Sequence, residues 1–307
     1  MKKIFVLFAV SFATIVNAQQ FEVVSVQQVK TGERETAFHP RFMPDGKTLM
    51  VSDENYDGLG LVNIEKQSYT HLTNMAGAGY KAAISEDGKT VITRRIDMNE
   101  QKTSLYKIDL KENTISTVMT DIEHVNNLDF VNGEVAVSQR GISMKHRVKS
   151  AVYTYAPVKD VYVTEENLKL VVYEAGIRSV IDPLSTAEYD AQYCWSSISP
   201  DRKKLLFVSG NDAYVCNVDG SDLVCLGLVH APVWRGNDYV VGMEDQDDGH
   251  VFTGSDIVIV KVDGTNKQKL TTKSSDLNMY PSVSADGNKI AYHTGDGKIY
   301  LMSIKEK

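Results

Sequence analysis

An all-β fold, a single β-propeller built as a ring of small four-stranded antiparallel sheets, is the class that three observations in the sequence predict. First, residues 39–74 read as four short strands in series, with a Pro-Asp-Gly turn at 44–46, an alternating run around Leu61-Val62-Asn63-Ile64 and a last strand ending at Leu72-Thr73. Second, this plan returns at residues 280–304, where a ring residue and a proline again open the unit and Asp286-Gly287 again makes the turn. Third, the turn mark recurs about every 40 residues, at Asp45-Gly46, Asp87-Gly88, Asn132-Gly133, Glu166-Asn167, Asp201-Arg202, Gly236-Asn237 and Asp286-Gly287, each time followed by a β-rich run. One supersecondary unit repeated at that period cannot bury its own apolar face and must stack on its neighbours. Seven marks predict seven blades; six is the alternative, if units three and four merge.

The amino terminus stands apart. Lys2 and Lys3 precede an apolar run at 4–15, and Val16-Asn17-Ala18 offers a small-residue cleavage site before Gln19. A basic start, an apolar stretch and such a site together read as a secretory signal peptide over residues 1–18, too short for a spanning helix. The mature domain is then 19–307, in the periplasm or secreted. Loss of the two lysines takes the formal charge from −7 to −9. That acidity disfavours nucleic acid and anionic membranes as partners; the reading is of a monomer without a membrane span. Only three cysteines occur, with no Cys-x-x-Cys spacing, so a hydrophobic core and not a disulfide scaffold must hold the fold.

Within the repeats, Gly and Asn sit where tight turns between antiparallel strands demand positive φ. Third and fourth strands are expected at 104–109 and 114–119 in unit two, 213–218 and 223–227 in unit five, and 256–262 and 268–271 in unit six. The outer half of unit three is expected at 142–148 and 151–156, and the third strand of unit four at 177–184. The last unit runs out of chain after its third strand. Residues 21–29, a β-run with no partner in its own neighbourhood, are expected to supply the missing fourth strand and close the ring, which removes an exposed sheet edge.

The motifs that carry these turns resemble a known family. Pro-x-x-x-Pro-Asp-Gly-Lys at 40–47, Ser-Glu-Asp-Gly-Lys-Thr at 85–90, Ser-Pro-Asp at 199–201, Val-Asp-Gly-Ser-Asp at 218–222, Val-Asp-Gly-Thr-Asn at 262–266 and Pro-Ser-Val-Ser-Ala-Asp-Gly at 281–287 are similar to the TolB-type, WD40-like propeller repeat. The resemblance covers nearly the whole mature chain, is faint in units three and four, and includes no counterpart of the amino-terminal α/β domain of TolB. It is specific for fold and weak for function, because the same repeat serves binding proteins, oligosaccharide lyases and peptidase gating domains.

No Gly-x-Ser-x-Gly elbow, Walker loop, dinucleotide fingerprint or His-Glu-x-x-His pair is present. Asp53-Glu54-Asn55-Tyr56-Asp57-Gly58 matches the first half of a calcium loop, but the twelfth position is Ile64 and Glu65 comes one residue late. A second acidic loop contains Asp245, Asp247, Asp248 and His250, a set able to hold a divalent cation such as Ca or Mn; a solvated loop without cofactor is the competing reading. His39 and His230 lie near strand starts, and the resemblance to oligogalacturonate lyases, which bind a metal through propeller histidines, implies a metal-dependent lyase or hydrolase of acidic oligosaccharides as the alternative function. The absence of a complete catalytic motif favours a non-catalytic exported propeller that binds a protein, peptide or glycan at one face of its channel.

Two finer expectations follow from register. A two-residue loop at Gly220-Ser221 would set Cys216 opposite Cys225, within disulfide reach, whereas a bulged turn would spoil the pairing. In a propeller the first strand lies nearest the axis, so counting back from each turn places His39, Lys81, Asn126, Asp160, Trp195 and Tyr280, with His230 close to the matching place in unit six, around one mouth of the channel. These seven residues are the expected ligand-binding ring.

Overall fold

The computed structural model describes residues 20–32, 34–122, 125, 127–131, 134–139, 142–147, 160–271 and 276–307. The segment 1–18 expected to be a signal peptide, Asn126, the Asn132-Gly133 turn expected in unit three and the strand expected at 151–156 lie outside the described residues. Every regular element among the described residues is a β-strand. Among the described residues no helix is long and apolar enough to cross a membrane.

The strands form seven antiparallel sheets. Sheet one joins Phe38–Phe42, Thr48–Ser52, Leu59–Asn63 and Ser68–Thr73; sheet two joins Ala83–Ile84, Thr90–Asp97, Lys102–Asp109 and Thr114–Ile122. Sheets three and four have three strands each among the described residues: Leu128–Val131, Glu134–Gln139 and Ile142–Arg147, then Val161–Glu166, Lys169–Glu174 and Ile177–Ile181. Sheet five comprises Cys194–Ile198, Lys204–Ser209, Asp212–Asn217 and Val224–Gly227, and sheet six His230–Arg235, Tyr239–Asp247, Phe252–Lys261 and Gln268–Lys269. Sheet seven orders Asn278–Val283, Lys289–Thr294 and Ile299–Glu306, with Phe21–Val29 paired outside them from Phe21↔Glu306 to Val29↔Ile299.

The turn chemistry accounts for the first hairpin of sheet one. In sheet one, Asp45 Oδ1 accepts hydrogen bonds from the Lys47 and Thr48 amides, both at 2.9 Å, and Gly46 takes φ +63° beside it. A short acceptor side chain that folds back on its own backbone, followed by a residue free to enter the left-handed region, is what such a turn needs. Second strands are flanked by strands on both sides and by sheets on both faces, so they read as continuous apolar runs: Leu205, Leu206, Phe207 and Val208 are all buried. Outer strands alternate weakly and are polar, as in Ser68–Thr73 and Thr114–Ile122.

The core is divided among the seven junctions between consecutive sheets. Leu49 and Val62 of sheet one meet Ala291 and Leu301 of sheet seven, with Val29 of the amino-terminal strand beside them. Phe21, at the other end of that strand, packs with Tyr239 and Ile259 of sheet six and Tyr292 of sheet seven. Corresponding clusters join one to two, two to three, three to four, four to five and five to six. Each fully buried aliphatic or aromatic side chain contributes about 1.5–3 kcal/mol, so stability is spread around the ring.

The thiol expectation is corrected by the register of sheet five. Cys216 faces Leu205, while Cys225 faces Tyr214, after a register shift between Ala213 and Tyr214. Asp222 adopts φ +53° in the connecting turn, which is longer than the two-residue loop the pairing required. All three cysteines are free, Cys216 buried and Cys194 and Cys225 exposed.

Candidate functional site

The first strands of four sheets carry the same distortion. In sheet one, Phe38 pairs with Ser52 and Arg41 with Met50, so His39-Pro40 together face Val51. Trp195-Ser196, Ala231-Pro232 and Tyr280-Pro281 are likewise doubled against one partner residue in sheets five, six and seven. Two residues opposite one is a β-bulge, which bends the strand and re-aims a side chain. The second bulge position leaves the ladder, so a proline without an N–H is tolerated there. The first position is left-handed: φ is +52° at His39, +51° at Trp195, +43° at Ala231 and +50° at Tyr280, and Lys81 of unit two joins them at +47°. None of the five is glycine, although left-handed backbone costs an L-residue roughly 1–2 kcal/mol. Strain of this kind concentrates at binding sites.

Opposite the sheet-six bulge stands Gly242. A Cβ there would come within 2.3 Å of Val229 Cγ1 and 2.8 Å of the His230 carbonyl, so this close approach requires glycine.

The bulges converge on one cavity of about 850 Å³ along the axis. Of the expected ring, His39, Lys81, Trp195 and Tyr280 line it. Two members are displaced. In unit six the bulge residue that lines the cavity is Ala231, one position past His230. In unit four Val163 lines it and Asp160 does not, because the first strand of sheet four pairs in unbroken register and has no bulge to turn a residue inward. Asn126 lies outside the described residues; its neighbour Asn127 is on the wall.

Ring side chains form one side of the cavity. The His39 imidazole stacks on Tyr56, with centroids 3.6 Å apart at 14°, and meets Tyr280 edge-on at 4.8 Å; Tyr280 stacks on His293 at 5.4 Å. Nε2–H of His39 donates to the Glu54 carbonyl at 3.0 Å, and burial holds its pKa below the ordinary imidazole value. His293 is more deeply buried; its Nδ1–H donates to the Thr294 carbonyl at 3.0 Å, and burial pushes its pKa down to about 4. Burial likewise raises the Tyr56 phenol.

Charged groups cross-link the rim. Lys81 Nζ lies 3.0 Å from Glu165 Oε2, whose other oxygen accepts the Ser196 amide at 2.7 Å, so units two, four and five are tied across the channel. His230 Nδ1–H donates to Asp245 Oδ1 at 2.8 Å, and this hydrogen bond raises the imidazole pKa. His230 therefore supports Trp195, 5.5 Å away, from behind the wall.

Residues two past each bulge, Arg41, Ser197, Val233 and Ser282, form a second layer of the wall. Sequence counting stopped at the first layer; the same count carried two residues further would have found them. Tyr56 and Trp234 also line the cavity and were not anticipated.

The acidic loop is organised differently from the expected cation site. Asp245 serves His230, Asp247 Oδ1 accepts the Gly249 amide at 2.8 Å, and Asp248 Oδ1 accepts the His250 and Val251 amides, both at 2.9 Å. Among the described residues no three His, Cys, Asp or Glu side chains converge as an ion site. In the calcium-like loop, Asp53 Oδ1 accepts from the Asn55 and Asp57 amides, and Asp57 Oδ1 from Gly77.

The fold is a TolB-like β-propeller. The crystal structure of TolB from Acinetobacter baumannii superposes with a TM-score of 0.53 at 14% identity, over 80% of this chain and 56% of that one. This chain thus spans little more than half the length of that protein, and at this identity the likeness concerns the fold alone. No protein-family model matches the chain, and no curated protein matches its sequence.

Proposed function

We propose that this chain is an exported, non-catalytic propeller that binds a protein, peptide or glycan at the mouth of its central channel. The observation that carries the reading is the repeated bulge: unrelated side chains, His39, Trp195 and Tyr280, are brought to one cavity by the same strained backbone device, and Lys81 joins them from a left-handed position of unit two. A concave site with aromatic walls and a few convergent polar groups is the usual form of a ligand pocket. In this reading each of the seven sheets is one blade, the amino-terminal strand closes the ring, and residues 1–18 direct export to the periplasm or beyond. The test is a screen of peptide and glycan arrays with the mature protein, repeated with His39→Ala, Trp195→Ala and Asp45→Ala. Binding should be lost in the first two and kept in the third, whose side chain caps a turn. A ligand that binds the His39→Ala and Trp195→Ala chains as tightly as wild type would place the site elsewhere.

A further inference from the structure

We infer that the channel contains an anchor for an organic monocarboxylate, and that the anchor is the Arg41 guanidinium. The inference rests on the reading of this cavity as a ligand site and adds the chemistry of what it takes.

Arg41 sits in the second layer of the wall, half-buried, two residues past the His39 bulge. One amino nitrogen donates to the Ala82 carbonyl. Among the described residues its other N–H groups have no protein acceptor, and no carboxylate lies within ion-pair distance. Its counterparts in the other first strands are Ser197, Val233 and Ser282, none of them acidic. The carboxylate that attracts Arg41 is Asp129, and that group is already engaged: Arg202 Nη1 holds Asp129 Oδ2 at 2.5 Å. Arg202 also donates to the Val161 carbonyl at 3.1 Å and the Phe130 carbonyl at 3.3 Å. Two guanidinium groups therefore share one carboxylate, and among the described residues Arg41 is the one left without an ion pair.

A guanidinium presents five N–H donors in a plane that matches a carboxylate bidentately, and such charge-assisted pairs strengthen as water is excluded. Burial already lowers the Arg41 pKa, against the opposing pull of the Asp129 charge. The excess in this layer is one positive charge, which a monoanion neutralises; a dianion would carry surplus negative charge toward Asp129 and toward Glu86, the exposed acid at the end of the same cavity. Above Arg41 the walls are Pro40, Pro281, Trp195 and Tyr280, which suit an apolar or ring-bearing body.

The chain has two tryptophans, Trp195 and Trp234, and both line this cavity, so tryptophan emission and the two indole N–H resonances report on it directly. The mature protein should be titrated with phenylacetate, phenylacetamide and inorganic phosphate. Phenylacetate should shift both signals saturably, and at least about tenfold more tightly than the neutral amide, since hydrogen bonds to a charged group are at stake. Phosphate should bind more weakly than the acid. Arg41→Gln should abolish the preference for acid over amide, and Arg41→Lys should keep part of it. Equal binding of acid and amide, a preference for phosphate, no response to phenylacetate, or an undiminished acid preference in Arg41→Gln would each overturn the assignment. If Arg41→Gln does not fold, the acid-to-amide ratio in wild type and in Arg41→Lys decides. These outcomes are separate from the wider reading, whose test uses rim variants that all retain Arg41.

Discussion

Phe21→Ala should destabilise the protein by about 3–5 kcal/mol, the range for emptying a buried phenylalanine site. Phe21 is 1% exposed although it opens the first described strand. Its ring meets Tyr239 edge-on at 5.0 Å and 88°, and the Arg235 guanidinium lies 4.6 Å above it. The site cannot collapse readily after truncation, because the Gln268 side chain holds the Phe21 main chain from both sides: the Phe21 amide donates to Oε1 at 3.0 Å, and Nε2 donates to the Phe21 carbonyl at 2.8 Å. Val24 on the same strand is 60% exposed, and Val24→Ala should fall within about 0.5 kcal/mol of wild type. Deleting residues 20–30 should cost more than Phe21→Ala, because it also strips Ile299–Glu306 of its outer partner and leaves an open edge. Urea unfolding of the three chains, followed by circular dichroism, measures this. Equal midpoints for wild type and Phe21→Ala, or for Phe21→Ala and Val24→Ala, would refute the argument that the first strand is an integral part of the ring.

Acidification should weaken the fold through His293: with a folded pKa of about 4 against ~6.5 unfolded, its contribution is complete above pH 6.5 and is lost as pH falls toward 4. Between pH 7 and 4.5 the wild type should lose about 2.5 kcal/mol more than His293→Phe, as read from denaturation at the two pH values. Gly242→Ala should cost about 1–3 kcal/mol through its clash with Val229 and His230, whereas Gly254→Ala, with only the Gln246 side-chain oxygen at 3.8 Å, should leave the melting temperature nearly unchanged. Alkylation of native protein should label Cys194 and Cys225 and spare Cys216, with all three labelled after unfolding; a mass two hydrogens short of three thiols would restore the disulfide.

The repeat and the turns were legible because they depend on local chemistry: Asp45-Gly46 and Asp286-Gly287 announce hairpins whatever surrounds them. Pairing of residues 21–29 with the last strand was legible for a different reason, since a β-run without a neighbour in sequence must find one in space. The site was half legible. Counting from the turn located His39, Lys81, Trp195 and Tyr280, but a count cannot see whether a strand bulges. That is why Asp160 missed the cavity; Ala231 stands where His230 was expected because the first hairpin of sheet six is shorter in its turn, its ladder running on to Arg235 and Tyr239. The prolines at 40, 232 and 281 were the overlooked signal, because a proline inside a first strand marks the position that has left the ladder. The Cys216–Cys225 expectation failed on a turn longer than two residues.

The left-handed residues of the bulges have a bearing on how this protein could be made more robust. Glycine at any of them would relieve local strain and lower the energy of the folded ring, and at Ala231 the exchange would remove only a methyl group. At His39, Trp195 and Tyr280 the same relief would delete the side chain that faces the cavity. At these positions thermal endurance and the retention of cavity-facing side chains therefore pull in opposite directions. A hardened descendant of this chain that kept those side chains would have to gain its stability elsewhere, in the junctions between sheets and at the outer strands.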